Sequence, residues 1–312
     1  MRQHWSWPWI KRALGVAFLA VVAFLLVRYA RTVDWGEVRN SVQELPRDVL
    51  LKALGLAVIS HVVYSLMDLV GRHYTGHRIP KRKVMQVSFV CYSFNLNLGS
   101  LVGGIGLRYR LYSRLGLRYG NITRIITLSM ITNWIGYILL AGLVFTIFPL
   151  QLPPTWPLDS EELRLLGVGL LAFAIGYLGL CAFSRVRCWN VRGHDIDLPT
   201  LRLAVAQLAI SCTHWTTMAA VPWMLLQGQV EYPTALAVLL IAAIAGVILH
   251  IPAGLGVTEA VFIALLSHRV PEHQLLGALL AYRALFYLTP LVAGALLYLK
   301  VEMRTRKREV HA

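Results

Sequence analysis

The sequence predicts an all-α integral membrane protein of about six transmembrane helices plus two re-entrant helical hairpins in an inverted-repeat arrangement. Three observations predict it. The 312 residues are 57% hydrophobic and only 14% charged, more apolar surface than one soluble core can hide. Apolar runs close to the roughly 20 residues needed to cross about 30 Å of hydrocarbon recur along the whole chain. Two further stretches are broken at their centres by small residues, Gly103-Gly104-Ile105-Gly106 and Pro252-Ala253-Gly254-Leu255-Gly256. Breaks at matching places in two halves are the pattern of inverted repeats whose discontinuous helices aim backbone dipoles at a transported substrate.

The first apolar run, Ala13 to Val27, is followed directly by Arg28-Tyr29-Ala30-Arg31 with no small-residue cleavage site. It reads as a retained anchor and not as a secretory signal. Between Arg31 and Asp48, Trp35, Val38, Val42 and Leu45 recur at helical spacing, which predicts an amphipathic external segment over 31–48. Crossings follow at Val49 to Leu69, Ile125 to Phe148, Leu163 to Phe183, Leu203 to Leu226 and Leu275 to Leu299. Pro149, Pro153, Pro154 and Pro157 form a stiff connection with Trp156 at its interface.

Charge placement orients these runs. The net charge of +15 is gathered in Arg72 to Lys83, Arg108 to Arg124, Arg185 to Arg202 and the tail from Lys300, whereas 149–162 carries acids alone. By the positive-inside rule the basic groups and both termini face the cytoplasm, and the charge needs no nucleic acid to explain it. The segment from Val84 to Leu107, flanked by cytoplasmic arginines, must then enter and return. Counting onward, Thr234 to Ser267 begins and ends outside, and its second arm, Val257 to Ser267, is about 16 Å long at helical rise, too short to span. Residues 1–312 thus form one polytopic domain with pseudo-repeat halves at about 49–148 and 203–299. Irregular backbone at membrane depth survives only when buried in protein or lining a wet cavity, so two breaks imply a central cavity.

Few ionisable residues fall inside the apolar stretches, and each is a candidate for function. Glu259 follows the second break, where a helix N-terminus favours an anion. Arg283 lies two turns into the last crossing and needs a carboxylate, with Glu259 and Asp68 nearest by depth, or a phosphate. His61 and Asp68 are seven residues apart on one helix face, as an interhelical hydrogen-bonding pair or a proton relay. Gly103, Gly104 and Gly106, followed by Arg108 and Arg110, place backbone N–H and guanidinium groups where a phosphate would fit. Pro252, Gly254 and Gly256 shape the second break. The first break lacks the Lys-Ser/Thr ending of a nucleotide loop, which excludes ATP binding. Cys91, Cys181, Cys188 and Cys212 lack ligand spacing, and His214 and His250 read as core residues. No metal site or cofactor is expected.

At Val102 to Leu111, Ile251 to Ala260 and Ala281 to Tyr287 the chain resembles the membrane domain of the lysylphosphatidylglycerol synthase and flippase family, in particular its stand-alone bacterial inner-membrane members of the YbhN type. Val33-Asp34-Trp35 fits as well. Val102-Gly103 stands where many relatives have Pro-Gly. In larger members this domain translocates lipid and a separate cytoplasmic domain attaches the amino acid. The chain ends soon after its last crossing, so the resemblance implies flippase-like function in the bacterial inner membrane and no aminoacyl transfer. Membrane phospholipids with anionic headgroups are the expected partners. Two other classes stay open: a non-transporting scaffold for lipid or envelope proteins, and an intramembrane lipid-modifying transferase, for which His61 with Asp68, or His250, would supply the base.

Overall fold

The computed structural model describes residues 35–310 except 149, 151, 153–158, 185–187, 192–193 and 252–253. The anchor at 13–27, Val33-Asp34, most of the proline-rich connection and Pro252 lie outside the described residues.

Helix α1 (Trp35–Gln43) is the amphipathic segment. Its Ser41 lies so close to Gly277 that a Cβ there would meet it at 2.9 Å. Within the described residues this segment is helical to Gln43, and Pro46 is the N-cap residue of the next helix, α2 (Arg47–Thr75). Helix α2 overruns its apolar stretch at both ends and stops at Gly76, whose φ of 65° lets its N–H bond the Arg72 carbonyl. Its buried face carries Ala53, Ala57, Ser60, His61, Tyr64, Met67, Asp68 and Gly71, the three-to-four spacing of one helix side.

Helix α3 (Lys81–Leu98) ends at Gly99, and the chain turns back through a wide π-helical segment, Ser100–Gly106, into the short α4 (Leu107–Arg114). Helices α5 (Tyr119–Ile147) and α6 (Ser160–Phe183) follow. The start of α6 is fixed by a reciprocal cap in which Asp159 accepts from the Glu161 and Glu162 N–H groups and Glu162 accepts from Asp159. An antiparallel pair, β1 (Cys188–Val191) and β2 (His194–Asp197), pairs Cys188 with Asp197 and Val191 with His194. Apart from this short pair the described residues are helical or irregular, in line with the expected all-α membrane protein.

Helix α7 (Leu201–Leu225) is joined by a short turn to α8 (Tyr232–Ile248). A second break leads into α9 (Val257–Leu266). Helix α10 (Glu272–Tyr282), a second π-helical segment (Arg283–Leu288) and α11 (Thr289–Val310) run on without interruption.

Among the described residues, four helical stretches, Arg47–Thr75, Tyr119–Ile147, Ser160–Phe183 and Glu272–Lys300, are long and apolar enough to cross a membrane. Helix α7 has the length but a more polar composition, because it buries Gln207, Ser211 and His214 against its neighbours. Each half holds a long helix, a broken helical unit and another long helix. The leading helices α2 and α7 pack on each other, α3 packs on α11, and α5 packs on α8, where the Tyr137 hydroxyl donates to the Leu240 carbonyl at 2.9 Å.

Candidate functional site: two guanidinium–carboxylate clamps

Each break anchors one arginine–carboxylate pair. At the first, Asp68 sits on the buried face of α2, and Arg108 lies in the first turn of α4. Arg108 Nε donates to Asp68 Oδ2 at 3.2 Å and Nη2 donates to Oδ1 at 3.1 Å. Arg108 Nη1 donates to the Gly104 carbonyl at 3.0 Å. The carboxylate also accepts from the Tyr112 hydroxyl at 2.8 Å and the Ser129 hydroxyl at 2.9 Å. With 4% of the arginine and none of the aspartate side chain exposed, this pair is sealed.

At the second break the elements exchange charges. The acid, Glu259, is now in the first turn of the short arm α9, and the arginine, Arg283, opens the π-helical segment of the long helix. Arg283 Nε donates to Glu259 Oε1, and Nη2 donates to Oε2 at 2.9 Å. Nη2 also reaches the Gly254 carbonyl at 3.0 Å. Both side chains are 14% exposed. In each clamp a guanidinium therefore grips a carboxylate with two bonds and ties down the carbonyl of a glycine in the break. This is the planar fork geometry that lysine cannot supply.

Aromatic side chains join the two clamps. Arg108 Cζ lies 6.0 Å from the Tyr64 ring centroid, and Tyr64 stacks on Tyr92 at 3.6 Å. The His61 ring is 5.0 Å from Tyr92 and 4.8 Å from Phe286. Phe286 is 5.8 Å from Tyr287, whose ring lies 5.4 Å from Arg283 Cζ. Asn97, near the end of α3, donates to the Tyr287 carbonyl at 3.2 Å, so a residue flanking the first break also holds the helix of the second clamp.

The remaining candidates separate. Arg110 is exposed, with its guanidinium 5.8 Å from the Tyr298 ring, so Arg108 and Arg110 do not share one mouth. Gly103 presses against α3, where a Cβ would meet Asn95 N at 2.2 Å; Gly104 faces the Asn95 side chain and Gly106 is exposed. Gly254 and Gly256 take positive φ values of 55° and 77°. His61 Nδ1 bonds the Ala57 carbonyl at 2.9 Å and its Nε2 is buried without a partner, whereas the Asp68 oxygens are held by Arg108, Tyr112 and Ser129. His214 bonds Ser60 Oγ at 3.0 Å and the Tyr92 hydroxyl at 3.1 Å. His250, expected in the core, is exposed, with a φ of 55° in the second break. The residues before it, Val247, Ile248 and Leu249, are exposed as well, so its position at the end of α8 and not its polarity puts it outside the core.

Sequence reading missed Tyr112, Ser129, Tyr64 and Tyr92. Tyr112 is four residues from Arg108, and Tyr64 four from Asp68, so helical spacing alone puts each beside its clamp. Nothing local marks Ser129.

Residues 12–294 match the family described as the lysylphosphatidylglycerol synthase TM region. The chain belongs to that family. The chain is 48% identical over 307 residues to "Inner membrane protein YbhN" of Escherichia coli, covering 98% of this chain and 96% of that one. It is 29% identical over 278 residues to an uncharacterized protein of Synechocystis, covering 88% and 86%. It is 24% identical over 292 residues to a phosphatidylglycerol lysyltransferase of Staphylococcus haemolyticus, covering 91% of this chain but 33% of the enzyme. The family match thus joins the three quoted motifs into one continuous similarity, and the chain is a membrane protein of the synthase TM-region family.

Proposed function

We propose that this protein is a flippase-type lipid transporter of the bacterial inner membrane, with its termini in the cytoplasm. Both broken units then act as re-entrant hairpins: α9, with 10 residues, is about 15 Å long at helical rise, half the hydrocarbon thickness. The two halves are related by inversion, so the hairpins open to opposite sides of the membrane.

The observation that carries this reading is the partly exposed Glu259–Arg283 clamp at a broken helix. A guanidinium in low dielectric needs an anion, and a lipid phosphate offers the same two-oxygen face as the Glu259 carboxylate. As a headgroup enters, Arg283 exchanges Glu259 for phosphate, and Glu259 is released to take a proton or a headgroup amine. Departure of the lipid restores the clamp. The acyl tails stay in the bilayer. The sealed Asp68–Arg108 pair serves as the fixed counterpart that holds the first hairpin. The relatives' names, one an inner membrane protein and another a phosphatidylglycerol enzyme, support the membrane and the lipid class.

The test is headgroup movement in vesicles reconstituted with the full chain. Arg283→Ala and Glu259→Gln should each abolish it while the protein stays folded. Unchanged movement in both variants would overturn the proposal, and a scaffold that needs only its basic face is unaffected by either.

A further inference from the structure

Two of the basic groups, separate in sequence, meet in space. The loop between α2 and α3 (76–80) and the loop between α4 and α5 (115–118) border an open cavity of about 480 Å³. Arg78 and Lys83 line it from the first group and Arg118 from the second, with His77 and Asn121 beside them. It shares no residue with either clamp.

Two features go beyond a topological signal, which requires positive charge in a loop but no convergence of it. No acidic side chain lines the cavity, and among the described residues Arg78, Lys83 and Arg118 have no ion-pair partner. Three cations gathered without a counter-ion repel one another, and a bound anion relieves that repulsion. Two long helices, α3 and α5, also begin at the cavity wall, with Pro80 and Arg118 as their N-cap residues. Neither N-terminus has a side-chain cap, so their positive ends face the cavity unquenched.

We propose that this cavity is a phosphate-binding site, occupied by a phosphate monoester or diester whose oxygens accept from Arg78, Lys83 and Arg118. The same chemistry is presented by a free phosphate and by an anionic phospholipid headgroup.

Two arms distinguish these sources. The full chain in a neutral maltoside detergent is titrated calorimetrically with inorganic phosphate, and native mass spectrometry follows its retention of phosphatidylglycerol against phosphatidylcholine. Saturable uptake of inorganic phosphate identifies a free-anion site; selective retention of phosphatidylglycerol alone identifies a headgroup site. In either case Lys83→Gln with Arg118→Gln should weaken binding by about tenfold or more, the scale of losing charge-assisted hydrogen bonds. Arg202→Gln with Arg269→Gln removes the same charge from exposed positions elsewhere and should leave binding unchanged. The substituted residues are exposed, and Lys83→Glu alone repeats the test if the double variant misfolds. Binding of neither probe, or equal weakening in both double variants, would overturn the site. Glu259→Gln lies outside the cavity and should not alter phosphate uptake, so loss of transport and loss of this site can be told apart.

Discussion

The two clamps share a plan and differ in seal. Both join a guanidinium to a carboxylate and to a glycine carbonyl at a break. The Asp68 carboxylate, however, accepts two further hydroxyl bonds and has no exposed surface, while Glu259 and Arg283 each keep 14%. Desolvation explains what the difference teaches. A fully buried pair whose lone pairs are all satisfied loses far more when opened than the pair itself gains by forming, so it behaves as a permanent fastening. A pair that keeps part of its surface exposed leaves water or headgroups within reach and can exchange partners.

The strongest way to break that contrast is to orphan one charge of the sealed clamp. Arg108→Met leaves Asp68 without its cation and should destabilise the protein by about 3–5 kcal/mol, enough to prevent accumulation in the membrane. Adding Asp68→Asn removes the remaining charge and should recover part of the yield and melting temperature in detergent. A single variant as stable as the parent would show that the seal is unimportant.

The breaks differ as the clamps do. Gly103 is required for space: a Cβ there would lie 2.2 Å from Asn95 N and 2.3 Å from Phe94 C, both backbone atoms that cannot yield unless the returning chain parts from α3. Gly103→Ala should therefore lower stability by about 3 kcal/mol. Gly104→Ala comes closest to the Asn95 side-chain oxygen, at 2.9 Å, which can rotate away; about 1 kcal/mol is expected. Thermal melts of the two variants give the comparison directly.

At the open clamp, stability and activity should separate. Glu259→Gln keeps the shape and loses charge-assisted bonding at a partly exposed site, for about 1 kcal/mol of stability. Headgroup movement should nevertheless disappear, because an amide cannot alternate with phosphate on Arg283 as a carboxylate does. A variant that melts like the parent and still moves lipid would place the exchange elsewhere.

Much of this plan was legible in the chain. Apolar length located the long helices, with errors at their ends where polar turns extend them, as at Arg47 and Ser160. Small-residue clusters located both breaks, and depth counting offered Glu259 as a partner for Arg283. The Asp68–Arg108 pair was hidden because the two residues lie 40 positions apart and meet only after the first break folds back. The π-helical segments were hidden for a related reason. They depend on packing against α3 and on the Arg283 clamp, and no local propensity marks them.

The smallest expected effect decides whether the two breaks use glycine for different reasons. Gly256 caps α9 in the left-handed region, with a φ of 77°, so the penalty for a side chain there is conformational and about 1 kcal/mol for alanine. Asparagine enters that region more readily than alanine, since its side chain can bond the local backbone. Gly256→Asn should therefore melt a few tenths of a kcal/mol above Gly256→Ala. At Gly103 the constraint is volume, and the larger asparagine should be the worse of the two. Opposite orders of Ala and Asn at the two positions would establish one break as a close packing contact and the other as a backbone turn. The same order at both would mean that Gly256 also faces a crowded wall, and the second hairpin would then have less freedom to open around Arg283 than the exchange requires.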